Sequence, residues 1–189
     1  MAGGHMKYRQ LGRDSAHRQA LLRNLVTSLI KDESIHTTWH KAKEAQRLAE
    51  RLITHAKKNT EASRRRAQGI LYIPDEILPK LFTELRERYA DRPGGYTRVL
   101  RTEPKSRYDQ APSAILELVD GPKDMRFAVT AAAVARDRML GKSHTDWTRK
   151  NIEKVTRYRK DGRGAFEDMV GKVEELNLGG TGEVSREGA

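Results

Sequence analysis

The spacing of apolar positions predicts two helices and a short strand in the first sixty residues. From Ser15, a suitable N-cap, to about Lys31, apolar residues recur at helical spacing while arginines lie elsewhere on the helical wheel. Residues 34–38 are short and β-prone, which predicts a strand. Thr38 then caps a longer helix that ends near Lys58. The chain therefore begins with an α–β–α arrangement.

The next sixty residues are predicted to complete this domain. A short helix spans residues 60–68, and Pro74 opens a further helix with a clear apolar face. Residues 96–102 and 113–119 have the pattern of two strands joined by a polar loop. Together these elements predict an α/β (α+β) fold, in which helices pack on a small mixed sheet of about three strands.

Gly121-Pro122 interrupts the pattern and is the predicted domain boundary. Beyond it, helical periodicity returns and predicts a helical C-terminal extension with helices near 124–140, 145–160 and 164–177. The predicted organisation is a basic N-terminal tail at 1–14, a core domain at 15–120, the extension at 121–178 and a disordered tail at 179–189.

Charge changes the picture from a generic domain to a binder of polyanions. The net charge is +11, and 33% of residues are charged. Residues 1–60 hold 12 Lys/Arg against 5 Asp/Glu, so the positive charge is concentrated in the first third. A field of this sign favours nucleic acid or an anionic membrane surface. A membrane role is disfavoured because the leucines of the first helix are needed in the core, and no apolar run is long enough to span a bilayer.

The candidate phosphate-binding side chains lie on the predicted helices and in the basic tail. On the second helix, basic residues step every fourth position and therefore share one face. A charge run can also be an ordinary solvated surface, but the scarcity of acids here favours binding. The candidates chosen on charge, with Tyr8 as a possible stacking ring in the tail, are Lys7, Tyr8, Arg9, Arg13, Arg18, Arg23, Lys41, Lys43, Arg47, Arg51, Arg64, Arg65 and Arg66.

The motifs of enzymes and cofactor sites are weak in this sequence. There are no cysteines, which excludes disulfides and thiolate metal sites. Gly141-Lys142-Ser143 resembles part of a phosphate-binding loop, but Arg136 stands where that loop needs a glycine. His36 and His40 lack partners at ligand spacing. We therefore expect no enzymatic activity, no cofactor, no metal and no small-molecule substrate.

Three ordered sequence blocks resemble a known family, the bacterial-type large-subunit ribosomal protein seventeen. The first is Gly12-Arg13-Asp14-Ser15-Ala16-His17-Arg18-Gln19-Ala20-Leu21, and the second is Ile35-His36-Thr37-Thr38 followed by Lys41-Ala42-Lys43-Glu44. The third is Arg92-Pro93-Gly94-Gly95-Tyr96-Thr97-Arg98, with Ala114-Ile115-Leu116-Glu117-Leu118-Val119-Asp120 closing the domain. The resemblance covers residues 7–120.

This resemblance implies a non-catalytic protein that binds large-subunit ribosomal RNA near the outer end of the exit tunnel, beside neighbouring large-subunit proteins. The RNA-facing positions that it implies are Arg13, His17, Arg18, Arg23, Lys41, Lys43, Tyr96 and Arg98. The segments 59–74 and 121–127 are most similar to fungal mitochondrial members, which favours the mitochondrion over the bacterial cytoplasm. The roughly balanced charge of the extension favours packing against neighbouring proteins over RNA. The alternative function is a free-standing nucleic-acid-binding protein that is not stably on the ribosome.

Overall fold

A computed structural model describes the backbone of residues 8–180 and the side chains of residues 8–176. The chain divides into two compact units, one ending at Lys123 and the other beginning at Asp124. The helices of the first unit are α1 (Ser15–Asp32), α2 (Trp39–Lys58), α3 (Glu61–Ile70), α4 (Pro74–Lys80) and α5 (Arg86–Arg88), with a π-helical turn at Leu81–Leu85 between the last two. Its strands are β1 (Ser34–Thr38), β2 (Thr97–Thr102) and β3 (Ser113–Leu118).

The three strands form one sheet in the order β1-β3-β2. Both pairings are antiparallel, and Leu116 of the central strand lies opposite Ile35 on one side and Val99 on the other. The number of strands is as predicted, but the pairing is antiparallel throughout where a mixed sheet was expected. For β2 and β3 the cause is their connection, because a direct loop between two adjacent strands joins antiparallel neighbours. The antiparallel pairing of β1 with β3 is set where these two distant segments meet.

Helix α2 is the centre of the first unit because it packs against α1 and all three strands. Small side chains allow this close packing: Ala42, Ala45, Ala49 and Ala56 are fully buried. The larger core residues from α1, α2 and β3 fill the space around them and include Val26, Leu29, Ile30, Leu52, Ile53 and Leu116. Because the alanine face points inward, the opposite face of α2 is fixed toward solvent.

The start of α1 differs from the prediction by one residue. Asp14, and not Ser15, is the N-cap: its backbone is extended, and its Oδ1 accepts a hydrogen bond from the backbone N–H of His17 at 3.3 Å. Asp and Ser cap helices about equally well, so the residue type could not decide between two adjacent candidates.

The segment from Pro74 to Arg88 is not one uniform helix. Its buried residues Ile77, Leu81, Leu85 and Tyr89 repeat at intervals of four. In an α-helix of 3.6 residues per turn, such a repeat rotates steadily away from the core. The wider π-helical turn at Leu81–Leu85 offsets this rotation and keeps all four side chains inside. The Tyr89 hydroxyl then donates a hydrogen bond to the backbone oxygen of Val119 at 2.7 Å.

A buried ion-pair network closes the end of α1. Glu33 has a left-handed backbone, and its carboxylate accepts two hydrogen bonds from Arg88, at 2.7 and 3.1 Å, and lies 3.1 Å from Lys80. Burial alone would raise the pKa of Glu33, but the hydrogen bonds and charges of Arg88 and Lys80 outweigh burial and lower it. Gly121 lies against this pair, and a side chain there would collide with both partners.

The second unit consists of α6 (Met125–Met139), α7 (Asp146–Thr156) and α8 (Gly162–Gly180). Its own core contains Phe127, Val134, Val155, Phe166 and Val170. The two phenylalanine rings meet edge to face, with centroids 5.5 Å apart. The backbone of α8 continues to Gly180, which is two residues into the tail that was predicted to be disordered. The rest of that tail lies outside the described residues.

Candidate nucleic-acid interface

A groove of about 590 Å³ lies where the start of α1 meets the outer face of α2. Its lining is rich in guanidinium groups, with Arg13 and Arg18 from the beginning of the chain and Arg47 and Arg51 from α2. The acids in the lining are Asp14, which caps α1, and Glu44. The structure therefore brings the predicted basic tail, the first helix and the basic stripe of α2 together on one concave surface.

Arg18 holds this surface together. Its Nη2 lies 2.9 Å from the buried carboxylate of Glu44, its Nε donates to the backbone oxygen of Arg9 at 2.7 Å, and its guanidinium covers the ring of Tyr8 at 4.7 Å. Arg9 also reaches Glu44, at 3.2 Å. The side chain of Arg18 is only 15% exposed. Arg18 therefore positions the tail against α2, which reduces its availability for a phosphate; Tyr8 remains more than half exposed beside it.

The basic stripe of α2 supplies the most accessible cations of the groove. Arg47 and Arg51 are exposed, and the Nε of Arg51 makes only a long hydrogen bond, 3.4 Å, to the backbone oxygen of Arg47. Near the start of the helix, Lys43 lies 4.8 Å from the centroid of the Trp39 ring and is half-buried, as is Lys41. The outward face predicted from the four-residue spacing is therefore present, and its C-terminal half is the more exposed.

Near His55 at the end of α2, the basic surface extends to α3. Burial lowers the pKa of the His55 imidazole, and the positive charges of Arg66, Lys58 and Arg51 lower it further. His55 is therefore neutral at neutral pH and marks the point where these three cations converge. Lys58 was not among the predicted site residues, although its position seven residues after Arg51 places it on the same helix face.

The triple arginine on α3 is exposed, and its members differ in their contacts. The Nε of Arg64 donates to Asn59 at 2.9 Å, and its guanidinium lies 5.4 Å from the centroid of the Phe82 ring. Arg65 pairs with Glu61 four residues earlier, at 3.1 Å, with both side chains more than 70% exposed. The side chain of Arg66 makes no hydrogen bond within the described part of the chain. Of the three, Arg66 is the one whose charge contributes to the lowered pKa of His55.

Arg13 and His17 lie at the edge of the groove. The Nη1 of Arg13 donates to the backbone oxygen of Leu11 at 3.0 Å, while its buried Nε has no hydrogen-bond partner among the described residues. His17 is exposed on the first turn of α1. Lys7, the remaining predicted contact in the tail, lies outside the described residues.

Arg23 does not lie free on the surface of α1. Its Nε donates to the backbone oxygen of Ile70 at 3.0 Å, and its guanidinium covers the ring of Tyr72 at 4.3 Å. Arg23 thus ties α1 to the segment after α3. This location favours a positioning role over the RNA contact that was predicted for it.

Tyr96 is buried and Arg98 is half-buried, and neither residue lines the groove. The Tyr96 ring is 4% exposed and packs against Tyr89 with centroids 5.1 Å apart. Arg98 pairs at 2.7 Å with Glu117, which is completely buried on the central strand. A buried ring cannot stack on a base, and a carboxylate competes with phosphate for the guanidinium. The structure therefore argues against direct RNA contact by these two residues.

Other kinds of site find little support in the described residues. Between residues 8 and 180, no cluster of three or more His, Asp or Glu side chains is arranged to hold a metal ion. Within the same range, no helix is long and apolar enough to cross a membrane.

Comparison with known proteins gives consistent similarities. The profile of the family described as Ribosomal protein L17 matches residues 21–119. The chain is 73% identical over 178 residues to the large ribosomal subunit protein bL17m of Neurospora crassa, covering 94% of this chain and 92% of that protein. The protein of the same name from Schizosaccharomyces pombe is 53% identical over 170 residues, covering 89% and 82%. The large ribosomal subunit protein bL17 of Natranaerobius thermophilus is 52% identical over 116 residues, which is 61% of this chain and 100% of that protein.

Proposed function

This chain belongs to the ribosomal protein L17 family, and from that premise we propose that it is a structural component of the large subunit of the mitochondrial ribosome. The observation that carries the proposal is the 73% identity to the fungal protein bL17m, which extends over 94% of this chain. The bacterial relative matches only 61% of the chain, so the second unit is part of what this chain shares with the mitochondrial proteins. These similarities favour the mitochondrion over the bacterial cytoplasm.

Ribosomal RNA is the proposed ligand of the first unit. Exposed guanidinium and ammonium groups on rigid helices suit phosphate oxygens, and Arg47, Arg51, Lys58 and Arg66 present such groups from α2 and α3. Arg18 and Glu44 would keep the groove in shape while the outer cations bind. The family is one of structural ribosomal proteins, and we assign this chain no catalytic activity of its own.

The location and the neighbours are further parts of the proposal. The resemblance described above favours a place near the outer end of the exit tunnel. Within that setting we assign residues 15–120 to RNA binding and the α6 surface of the extension 121–178 to contacts with neighbouring large-subunit proteins. An apolar stripe on the outer face of α6 supports the protein contacts; its exposed members are Met125, Val129, Ala132 and Met139.

The competing function is a nucleic-acid-binding protein that acts off the ribosome. It would use the same groove, because phosphate contacts carry no sequence information. The two functions differ in whether the protein stays with the large subunit when loosely bound proteins are removed by salt.

Sedimentation of the tagged full-length chain from mitochondrial lysate tests the proposal. On a high-salt sucrose gradient, we expect the chain to migrate with the large subunit. It should remain there when low magnesium separates the subunits. Migration near the top of the gradient under both conditions would refute the structural role and favour the free-standing binder.

A further inference from the structure

Positive charge in the second unit is concentrated around α7. Residues 142–163 contain eight Lys/Arg and three Asp/Glu, whereas residues 164–180 contain one Lys and four Asp/Glu. Their net charges are +5 and −3, so the total charge of the extension understates the positive charge around α7.

The exposed face of α7 combines this charge with an aromatic ring. Trp147, Lys150 and Lys154 are spaced three and four residues apart, and all three are exposed. The opposite face carries Val155, which is buried in the core of the second unit, and Ile152, which packs against it. Burial of that face fixes the rotation of the helix, so the tryptophan and the two lysines point outward together.

Trp147 is the largest exposed apolar side chain among the described residues. It is 74% exposed, and the Nζ of Lys150 lies 5.9 Å from its ring centroid. An indole in this position loses little conformational freedom on binding, because only two side-chain torsions need to be fixed. Together with the two lysines that follow it on the helix, the ring makes this surface suited to a partner with negative charge and flat apolar faces.

We propose that α7 is a second RNA-binding surface, in which the indole of Trp147 stacks on an unpaired base while Lys150 and Lys154 contact the adjacent phosphates. Proteins hold single-stranded RNA by stacking its bases on aromatic side chains and by placing cations along its phosphate backbone. The surface lies outside residues 21–119, which the family profile matches. The choice of RNA as ligand rests on the proposed function.

The exposed face of α7 differs in composition from the apolar stripe of α6, which we assign to protein contacts. Met125, Val129, Ala132 and Met139 form an apolar row whose only charged residue is Arg136. On α7 the row has one apolar residue, Trp147, and two lysines that follow it. Charge complementarity therefore favours a polyanion for α7.

Tryptophan fluorescence of the full chain tests this proposal directly. The chain has two tryptophans, so Trp39→Phe leaves Trp147 as the only indole. The probe is an unstructured adenine-rich RNA of about twelve nucleotides, within the range of sites that stacking platforms cover. Heparin serves as a polyanion without bases. We expect the emission of Trp147 to be quenched by the RNA and not by heparin.

A pair of matched variants in the same background separates α7 from general electrostatics. Lys150→Gln with Lys154→Gln should reduce the salt slope of the emission titration by roughly 1.4, which corresponds to about 25-fold weaker binding at ~0.1 M salt. Arg136→Gln with Lys172→Gln removes the same charge elsewhere in the unit and should change both values much less. Circular dichroism checks that each variant is folded. If the Trp39→Phe variant does not fold, the emission of Trp147 is obtained instead by subtracting the emission of the Trp147→Phe variant from that of the wild type.

Each outcome is decisive. RNA binding detected by anisotropy without a change in Trp147 emission overturns the α7 surface and leaves the groove on the first unit intact. Absence of RNA binding by either measurement overturns both proposals. Equal quenching by heparin, or equal weakening by the two variant pairs, refutes the stacking and phosphate contacts. In assembled large subunits, a photo-crosslinker at position 147 should react with RNA; reaction with protein alone also refutes the proposal.

Discussion

The cation cluster around His55 gives the sharpest test of the groove on the first unit. Arg51 and Arg66 both lower the pKa of His55, so both lie close to it although one belongs to α2 and the other to α3. Both side chains are exposed. A phosphate bound here would contact two rigid helices at once. We therefore take Arg51→Gln with Arg66→Gln as the perturbation, because it removes two charges and keeps much of the side-chain length.

The expected magnitude follows from counterion release. Each phosphate contact contributes about 0.7 to 0.9 to the slope of log affinity against log salt, so losing two contacts reduces the slope by roughly 1.6. Between ~50 and ~200 mM salt, the ratio of wild-type to variant affinity should therefore shrink by about tenfold. The free energy of unfolding should change by less than about 0.5 kcal/mol, because both side chains are on the surface.

Filter binding of a full-length large-subunit rRNA transcript, repeated across this salt range, measures the effect. The control is Arg107→Gln with Lys123→Gln, which removes the same charge from exposed positions in the β2–β3 loop and after β3. An equal change of slope in the control would show that the net charge of the chain is sufficient. An unchanged slope in the test variant would show that these two guanidinium groups do not contact phosphates. Either result refutes the reasoning.

Three further predictions follow from the contacts of individual residues. Arg18→Ala leaves the buried carboxylate of Glu44 with Arg9 as its remaining partner among the described residues. Urea unfolding should therefore show a loss of roughly 2 kcal/mol, together with weaker RNA binding. Glu33→Gln removes the charge that pairs with Arg88. Because the pKa of Glu33 is lowered in the folded protein, the stabilisation by its carboxylate is present above about pH 4.5 and is lost as the pH falls below that value. In thermal unfolding, the variant should therefore be less stable than the wild type at pH 7, and its melting temperature should depend less on pH in the acid range. RNA phosphates beside His55 should raise its pKa, so an NMR titration should show a higher pKa of His55 in the complex than in the free protein. The affinity for RNA should then increase as the pH falls through the pKa of the complex. An unchanged pKa of His55 would place the phosphates elsewhere.

Local pattern was sufficient to predict most elements of the fold. The extents of α1, α2 and the three strands follow from apolar periodicity and capping, which are properties of neighbouring residues. The π-helical turn at Leu81–Leu85 was not predicted, because it depends on which side chains the rest of the core demands at that point. The antiparallel pairing likewise depends on how distant segments meet.

The candidate site was predicted less completely, because charge counts do not distinguish surface cations from internal ones. Arg23 binds a backbone oxygen 47 residues away, and Arg98 pairs with Glu117 on a neighbouring strand. Arg88 and Arg92 are similarly committed to Glu33 and to the buried Asp120. No single segment of sequence shows these partners, since they come together only when the sheet and helices assemble.

The exposed cations were predictable wherever a buried face fixes the orientation of their helix. On α2, the alanine face is held against α1 and the sheet, so Arg47 and Arg51 point outward because of the packing on the opposite side. The same logic applies to α7, where burial of Val155 fixes the outward direction of Trp147. Tyr96 and Arg98, at the start of β2, and Arg18, near the start of α1, instead turn toward partners within the fold. The outward faces of α2 and α7 are therefore where the sequence best identifies a binding surface of this protein, and both proposed RNA-binding surfaces include them.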